Sequence, residues 1–509
     1  MSKDNNRLLH ITGILWLVLG LGIDLFYFVV FGKKLLDSDM SGEMILAKLL
    51  NSERSITGLS RNWYYSTELR VFHMQWLYRI GLLFSPNNWY FARVIGMVLG
   101  LGIFVFAVYR LFVRCNLKDY AVWAVALCIF PGGSWYFWQT LYGGFYLPYI
   151  LISVFALDLI VLLAGECKKK GIFTAILLIL GLLSGLNGIK QLMVFYAPLV
   201  IGSIIFGVLK IREDKSGDIR KSFTYMVPAL GVIVSALIGY VINSRILSKI
   251  YCFKQYGDQQ ITQGGVWECL KLYVWSFGFA YGRKLMSFTG IAAMIGLFIG
   301  IATLFCGVRL IARWNEHSDV LKYLIVICVS VIVFNVFIFA YVGGEIQYFQ
   351  PTVPFGLFLI ALEIGTEKYV LKYSKLLIFN VAMLAMLITS IGTIHSELAW
   401  PFHFYNAKPG MIEVAAFVQE NGYTEGVGSF WVSNLITELS DGKVEMWSID
   451  EPENYEVYPW LQLTSHSDGL PSGRYFVISE DSEDYSGFLE CNPEFKEIYR
   501  TGSLVVYGN

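Results

Sequence analysis

Charge is scarce in this chain. Of its 509 residues only 15% are Asp, Glu, Lys or Arg, against 56% that are hydrophobic. That balance excludes a soluble globular protein of this size, in which about a quarter of residues are charged. Cysteine makes no disulfide framework: the eight Cys lie partly inside apolar segments, and only Cys252 and Cys269 share one expected outer loop, where pairing is open to them. No small-residue cleavage site follows the first apolar stretch, 8–31. It is too long for a signal-peptide core and is expected to remain as an uncleaved span. Tandem repeats and low-complexity segments are absent.

What the chain has instead is apolar runs of about 20 residues, long enough to cross a hydrocarbon core of roughly 30 Å. Eleven spans are expected: 8–31, 91–113, 120–131, 143–165, 172–186, 192–209, 223–244, 288–311, 321–342, 351–366 and 375–394. The third is short and ends at Pro131-Gly132-Gly133. Lys and Arg collect in alternate loops: Lys3 and Arg7; Arg110, Arg114 and Lys118; Lys168, Lys169 and Lys170; Lys210, Arg212, Lys215, Arg220 and Lys221; Arg309, Arg313 and Lys322; Lys368, Lys372 and Lys375. These loops are expected in the cytoplasm. Loops 32–90 and 245–287 and the whole C-terminal tail then face outward, with Lys33, Lys34 and Lys190 as exceptions to the charge pattern. The expected setting is a bacterial plasma membrane.

Formal net charge is zero, yet it is unevenly divided. Residues 1–394 carry 34 Lys and Arg against 20 Asp and Glu, and residues 395–509 carry 5 against 19. A basic transmembrane domain, 1–394, and an acidic outer domain, 395–509, are therefore expected as separate units. The tail's charge argues against a nucleic-acid partner. It reads as a small α/β domain with a helix at 412–421 and strands at 426–431, 443–449, 474–479 and 503–507.

The first outer loop holds most of the candidate chemistry. Asp37, Asp39 and Glu43 follow the first span closely, and Arg61, Trp63, Tyr64, Tyr65, Glu68 and Arg70 come after them. Two interfacial helices are expected here. In 40–51, Ile45, Leu46 and Leu49 share a face. In the second, Leu69, Phe72, Trp76, Ile80 and Leu83 recur at helical spacing, with Ser66 as N-cap. A carboxylate in such a loop can serve as a general base toward an acceptor hydroxyl, or it can simply be a solvated helix cap. Elsewhere, Lys190, Arg283 and Lys284 lie near the outer ends of spans, suited to a phosphate or to snorkelling. Glu345, Gln347 and Tyr348 precede Pro351 and Pro354, which predict a rigid extended entry into a span. Asp24, inside the first span, should face protein or water, with Arg93 as its candidate partner.

This order of parts resembles the GT-C superfamily of membrane glycosyltransferases, especially its protein O-mannosyltransferase and aminoarabinose-transferase-like branch. The resemblance implies a polyprenyl-phosphate-linked sugar donor, an extracytoplasmic acceptor and a base just after the first span, which is Asp37 or Asp39 here. The branch's Arg-Tyr-x-x-Pro-x-x-Pro pattern falls on Gln347–Pro354, with Gln in place of Arg, and its phosphate-binding lysine falls on Lys190 in the stretch Gly185–Gln191. The Trp-Trp-Asp-Tyr-Gly motif of the oligosaccharyltransferase branch is absent, which argues against whole-glycan transfer to asparagine. By resemblance this donor class often needs no metal, and Asp-Ser-Asp could hold a divalent cation through its oxygen ligands. A multi-pass transporter or lipid flippase, and a non-catalytic subunit of an envelope-glycan assembly system, are the competing readings.

Overall fold

The computed structural model describes residues 3–66, 69–130, 132–213, 219–253, 264–367, 372–399, 410–450, 456–481, 483 and 485–509. After α1 (Lys3–Val30) the first loop forms α2 (Ser38–Ser52), β1 (Trp63–Tyr65) and α3 (Gln75–Phe84). Then come α4 (Trp89–Arg114), α5 (Lys118–Ile129), α6 (Ser134–Tyr142), α7 (Leu147–Ala164), α8 (Lys170–Gly185), α9 (Leu192–Glu213) and α10 (Ile219–Arg245). Strand β2 (Cys252–Phe253) precedes α11 (Val266–Trp275), α12 (Phe288–Ala312), α13 (Asp319–Val342), α14 (Val353–Thr366) and α15 (Lys372–Ala399). The tail contains α16 (Met411–Glu420), β3 (Glu425–Ser429), α17 (Phe430–Leu439), β4 (Glu445–Ile449), β5 (Gln462–Leu463), β6 (Phe476–Glu480), α18 (Ser486–Cys491), β7 (Lys496–Thr501) and β8 (Leu504–Gly508).

The protein is a multi-pass α-helical membrane protein with a small mixed sheet near its C-terminus. Among the described residues nine helices are long and apolar enough to cross a membrane, ten if α5 and α6 count as one bent span. The other two of the eleven expected spans are shorter or bent. The segment 120–131 is one arm of a pair bent by 95° at its glycine break. The segment 172–186 lies in α8, whose 16 residues reach only about 24 Å at 1.5 Å per residue.

The chain divides into two compact units. One comprises Met1–Leu25, Gly100–Asn243 and Gln259–Ser396; the other comprises Phe26–Leu99, Ser244–Asp258 and Glu397–Asn509. The second unit thus joins the first long loop to the tail, where the sequence set the tail apart from residue 395 onward.

In the first unit, the basic loop residues meet acidic partners. Asp158 on α7 takes Arg114 at 2.5 Å and Arg110 at 3.4 Å. Arg309 and Arg313 grip Glu363 and Glu367. Lys322 meets Glu213 at 2.9 Å, and Lys210 meets Asp319 at 2.6 Å. Close helix approach rests on small residues: a Cβ on Gly185 of α8 would lie 1.9 Å from the Ala236 carbonyl of α10, and one on Gly181 would lie 2.6 Å from that of Val232. Backbones can approach this closely only where side chains are missing.

In the second unit, β1 pairs with β2 in parallel and with β5 antiparallel. Trp63, Tyr65, Leu46, Leu50, Leu59 and Leu69 form a core beneath this small sheet. The five-stranded sheet has the order β4-β3-β6-β8-β7. Its β4, β3 and β6 are parallel neighbours, and β8 runs antiparallel to both β6 and β7. Three local expectations change. The second surface helix begins at Gln75, not near Ser66, because Trp63–Tyr65 finds strand partners far away in sequence. The strand expected at 426–431 stops at Ser429, and Phe430 opens α17. Gln347–Thr352 is not extended but belongs to a 3-10 helix, Ile346–Thr352, leading into α14. Cys252 and Cys269 are both free thiols.

The glycine contacts have a measurable consequence. Gly185→Leu should overpack the α8–α10 contact and cost about 1–3 kcal/mol. Gly22→Leu, at a position where an added Cβ meets nothing within 4 Å, should leave the thermal midpoint of the detergent-solubilised protein unchanged. Equal midpoints for the two variants would contradict this role for Gly185.

Candidate active site

The acidic trio is organised by the start of α2. Asp37 adopts the extended conformation of an N-cap, and its Oδ1 accepts a hydrogen bond from the Met40 amide at 2.7 Å. This satisfies an amide that the helix itself leaves free. Asp39 and Glu43 then lie one turn apart on the helix, on neighbouring positions of one face. Asp37 is buried and Asp39 is half-buried.

The three carboxyls differ electrostatically. Burial raises Asp37 well above the ordinary carboxylate range, and the nearby Asp39 adds to this. Burial also raises Asp39, to about 6. The Arg70 guanidinium opposes that rise, Glu43 adds to it, and the Trp460 indole donates a hydrogen bond to the carboxylate. Glu43 behaves in the opposite way. Its burial is outweighed by His73 and Arg70, which hold it at about 2. Its Oε1 lies 3.0 Å from His73 Nδ1 and 3.3 Å from Arg70 Nη1. One loop therefore carries a permanently ionised carboxylate and one poised to change charge just below neutrality.

Beside them is a pocket of about 20 Å³, lined by Glu43, Ser66, Arg70, Gln75, Tyr65 and Leu461. It has room for about one water-sized group. Glu43 Oε2 and Gln75 Oε1, and at the start of α2 Asp37 Oδ2 and Ser41 Oγ, are buried without a hydrogen-bond partner among the described residues. Buried acceptors of this kind carry a cost of about 1–3 kcal/mol each until a donor reaches them. The site is therefore suited to a ligand that presents hydroxyl or amino hydrogens.

The other expected site residues are distributed as follows. Trp63 and Tyr65 are buried in the core of the second unit, and the Tyr65 hydroxyl accepts from the Ser60 amide at 2.8 Å. Tyr64 meets the Ser467 hydroxyl at 2.9 Å. Arg61 is exposed, and Glu68 lies outside the described residues. In the first unit, Lys190 is half-buried, with its ammonium 5.3 Å from the Tyr146 ring and 5.7 Å from the Tyr348 ring. Gln347 donates to Glu345 at 2.6 Å. Arg283 is half-buried, and Lys284 and Glu345 are exposed.

Arg93 does not pair with Asp24. Its guanidinium is fully buried against Glu438, with Nε–Oε1 and Nη2–Oε2 both at 2.7 Å. The Asp24 carboxylate, buried in α1, has no hydrogen-bond partner among the described residues.

Sequence reasoning missed His73, Gln75, Trp460 and Glu438. The first two carried a signal: a His and a Gln among apolar residues in a loop otherwise polar through Arg and Glu. Trp460 and Glu438, far along the chain, carried none.

Among the described residues no three His, Cys, Asp or Glu side chains are grouped to hold a metal ion.

The order of helices and the mixed C-terminal sheet are those of a GT-C-like membrane fold. ArnT from Cupriavidus metallidurans has this fold: its apo structure superposes with a TM-score of 0.58 at 11% identity, covering 98% of each chain. ArnT bound to undecaprenyl phosphate gives 0.57 at 10% identity over 97% of this chain and 98% of ArnT. No protein-family model matches the sequence, and no curated protein matches it by sequence.

Asp39 leaves a signature in stability. The folded protein keeps its Asp39 proton up to about pH 6, whereas the unfolded chain loses it near about pH 4. Stability should therefore fall as pH rises through that window, by up to about 2–3 kcal/mol. Asp39→Asn cannot ionise, so the variant should be more stable than the parent at pH 8, and the difference should vanish near pH 4. A variant less stable at pH 8 than at pH 4, relative to the parent, would show that Asp39 is not held in an environment hostile to its charge.

Proposed function

We propose that the protein is an inverting membrane glycosyltransferase that moves a sugar from a polyprenyl-phosphate donor to a hydroxyl acceptor outside the cytoplasm. The acceptor would be a cell-envelope glycan, a glycolipid or a protein. The observation that carries the proposal is Asp39: a half-buried carboxylate raised to about 6, one helical turn from Glu43, which with Gln75 offers unpartnered acceptors in a small pocket. The shared fold with ArnT, whose structure contains undecaprenyl phosphate, supports the donor class. The Lys and Arg pattern supports an outward-facing loop and tail.

The chemistry needs one base. The acceptor oxygen attacks the anomeric carbon as its proton passes to Asp39. The bond between that carbon and the phosphate oxygen breaks on the opposite face, and the electron pair leaves with the lipid phosphate. A phosphate departs readily without protonation, so a second carboxyl acting as acid is unnecessary, unlike hydrolysis of an ordinary glycosidic bond. A base with a value near 6 is ionised at neutral pH yet still accepts a proton in the transition state. Asp37 is the weaker candidate, because one of its oxygens already caps α2 and the group is fully buried. Glu43 and Gln75 offer acceptors to sugar hydroxyls. Lys190, over two tyrosine faces, is assigned to the donor phosphate by a charge-assisted contact.

Turnover should rise with pH through about 6 and then level off, because only ionised Asp39 accepts the proton. Asp39→Asn should reduce turnover at least about a hundredfold while donor binding persists. Lys190→Gln should weaken donor binding by about tenfold or more, the equivalent of one charge-assisted hydrogen bond. In a reconstituted transfer assay, normal turnover by Asp39→Asn would eliminate Asp39 as base.

A further inference from the structure

The tail's role near this site is written along one face of α17. Phe430, Asn434 and Glu438 stand four residues apart, so they line a single helix face; the first two bond the start of α2 directly, and Glu438 reaches it through Arg93. The Ser38 hydroxyl donates to the Phe430 carbonyl. Asn434 Nδ2 donates to the Ser38 carbonyl at 3.3 Å and to that of Leu461 at 3.1 Å. Glu438 holds Arg93, whose Nη2 also donates to the Met40 carbonyl at 2.7 Å, while Nη1 reaches the Tyr78 hydroxyl at 3.1 Å. Ser38 and Met40 are the residues on either side of Asp39. Both of their carbonyls are held by side chains that belong to the tail or are fixed by it. The carboxylate itself receives the Trp460 indole. Gly42, one turn on, allows Leu461 to lie close, since an added Cβ there would sit 3.2 Å from Leu461 Cβ.

From this geometry we propose that α17 is a clamp, and that Asn434 and Glu438 are positioning residues that fix the first turn of α2 and so aim Asp39. The proposal rests on Asp39 being the base. A C-terminal segment that carries no reacting group would then be an integral part of the catalytic centre, because a base displaced by about 1 Å can lose roughly a hundredfold in rate.

The clamp can be tested without donor or acceptor. The full chain in detergent, its Glu438→Gln variant and its Asn434→Ala variant are compared by hydrogen exchange at pH 7. In the same samples, carbodiimide labelling of Asp39 is followed by peptide mass spectrometry across pH. The charged groups facing Asp39 are Arg70, Glu43 and Asp37, with Arg93 and Glu438 acting through Asp37. Amides 39–44 should lose at least about tenfold protection in either variant, while peptides of β6 and β8 keep theirs. The Asp39 titration midpoint should move from about 6 toward the ordinary value near about 4 as the loosened turn admits water. If Glu438→Gln fails to fold, Asn434→Ala carries the same readings.

Unchanged protection and an unchanged midpoint would overturn the clamp. So would a loss of protection spread evenly over the second unit, since that is general destabilisation. Normal turnover by Asp39→Asn would instead remove the base and leave the exchange result standing.

Discussion

The second unit depends on one buried ion pair. Arg93 and Glu438 are 345 residues apart in sequence, and both side chains are fully shielded from solvent. Taking two charges out of water is costly and is offset only when geometry is good and the remaining donors are satisfied. Here the contact is bidentate, and further guanidinium hydrogens reach the Met40 carbonyl and the Tyr78 hydroxyl. Removing either partner would strand a buried charge, typically at a cost of about 3–5 kcal/mol. The pair therefore ties the start of α4, and through Met40 the start of α2, to the tail, alongside the β1–β5 pairing and the Ser38 contacts that join 26–99 to 397–509.

Within that frame, the same few side chains divide stabilising and chemical roles between neighbouring acids. Asp37 spends one oxygen on capping α2. Glu43 is neutralised by His73 and Arg70 and gains stability by being ionised. Asp39 is kept half-buried with its charge disfavoured, which costs stability near neutral pH. A group whose ionisation is penalised by its surroundings is what a base working near neutrality requires.

Much of this was legible in the sequence, and the remainder fails for identifiable reasons. Apolar runs and scarce charge mark the membrane-spanning helices directly, because the bilayer demands long stretches of one chemistry. Helix α2 could be read from Ile45, Leu46 and Leu49 and from the acids before it. Helix α17 was missed because β-prone Val427 leads toward Phe430-Trp431-Val432, and the single polar residue before them, Ser429, is a helix N-cap whose side chain makes no capping hydrogen bond. Strand β1 was missed because three aromatic residues become a strand only through partners at 252–253 and 462–463. The ring faces around Lys190 come from positions 146 and 348. The choice between Asp37 and Asp39 turns on burial and on one amide contact, which spacing does not encode.

The central claim is that Asp39 takes the proton from the acceptor. The most direct measurement is a cryo-EM map of the protein with a non-transferable polyprenyl-phosphonate sugar analogue. The expected result places the anomeric carbon on the Asp39 side, leaving room for one acceptor oxygen within about 3 Å of the carboxylate, with sugar hydroxyls toward Glu43 and Gln75. A sugar bound away from Asp39, with that carboxylate meeting only protein groups, would contradict it.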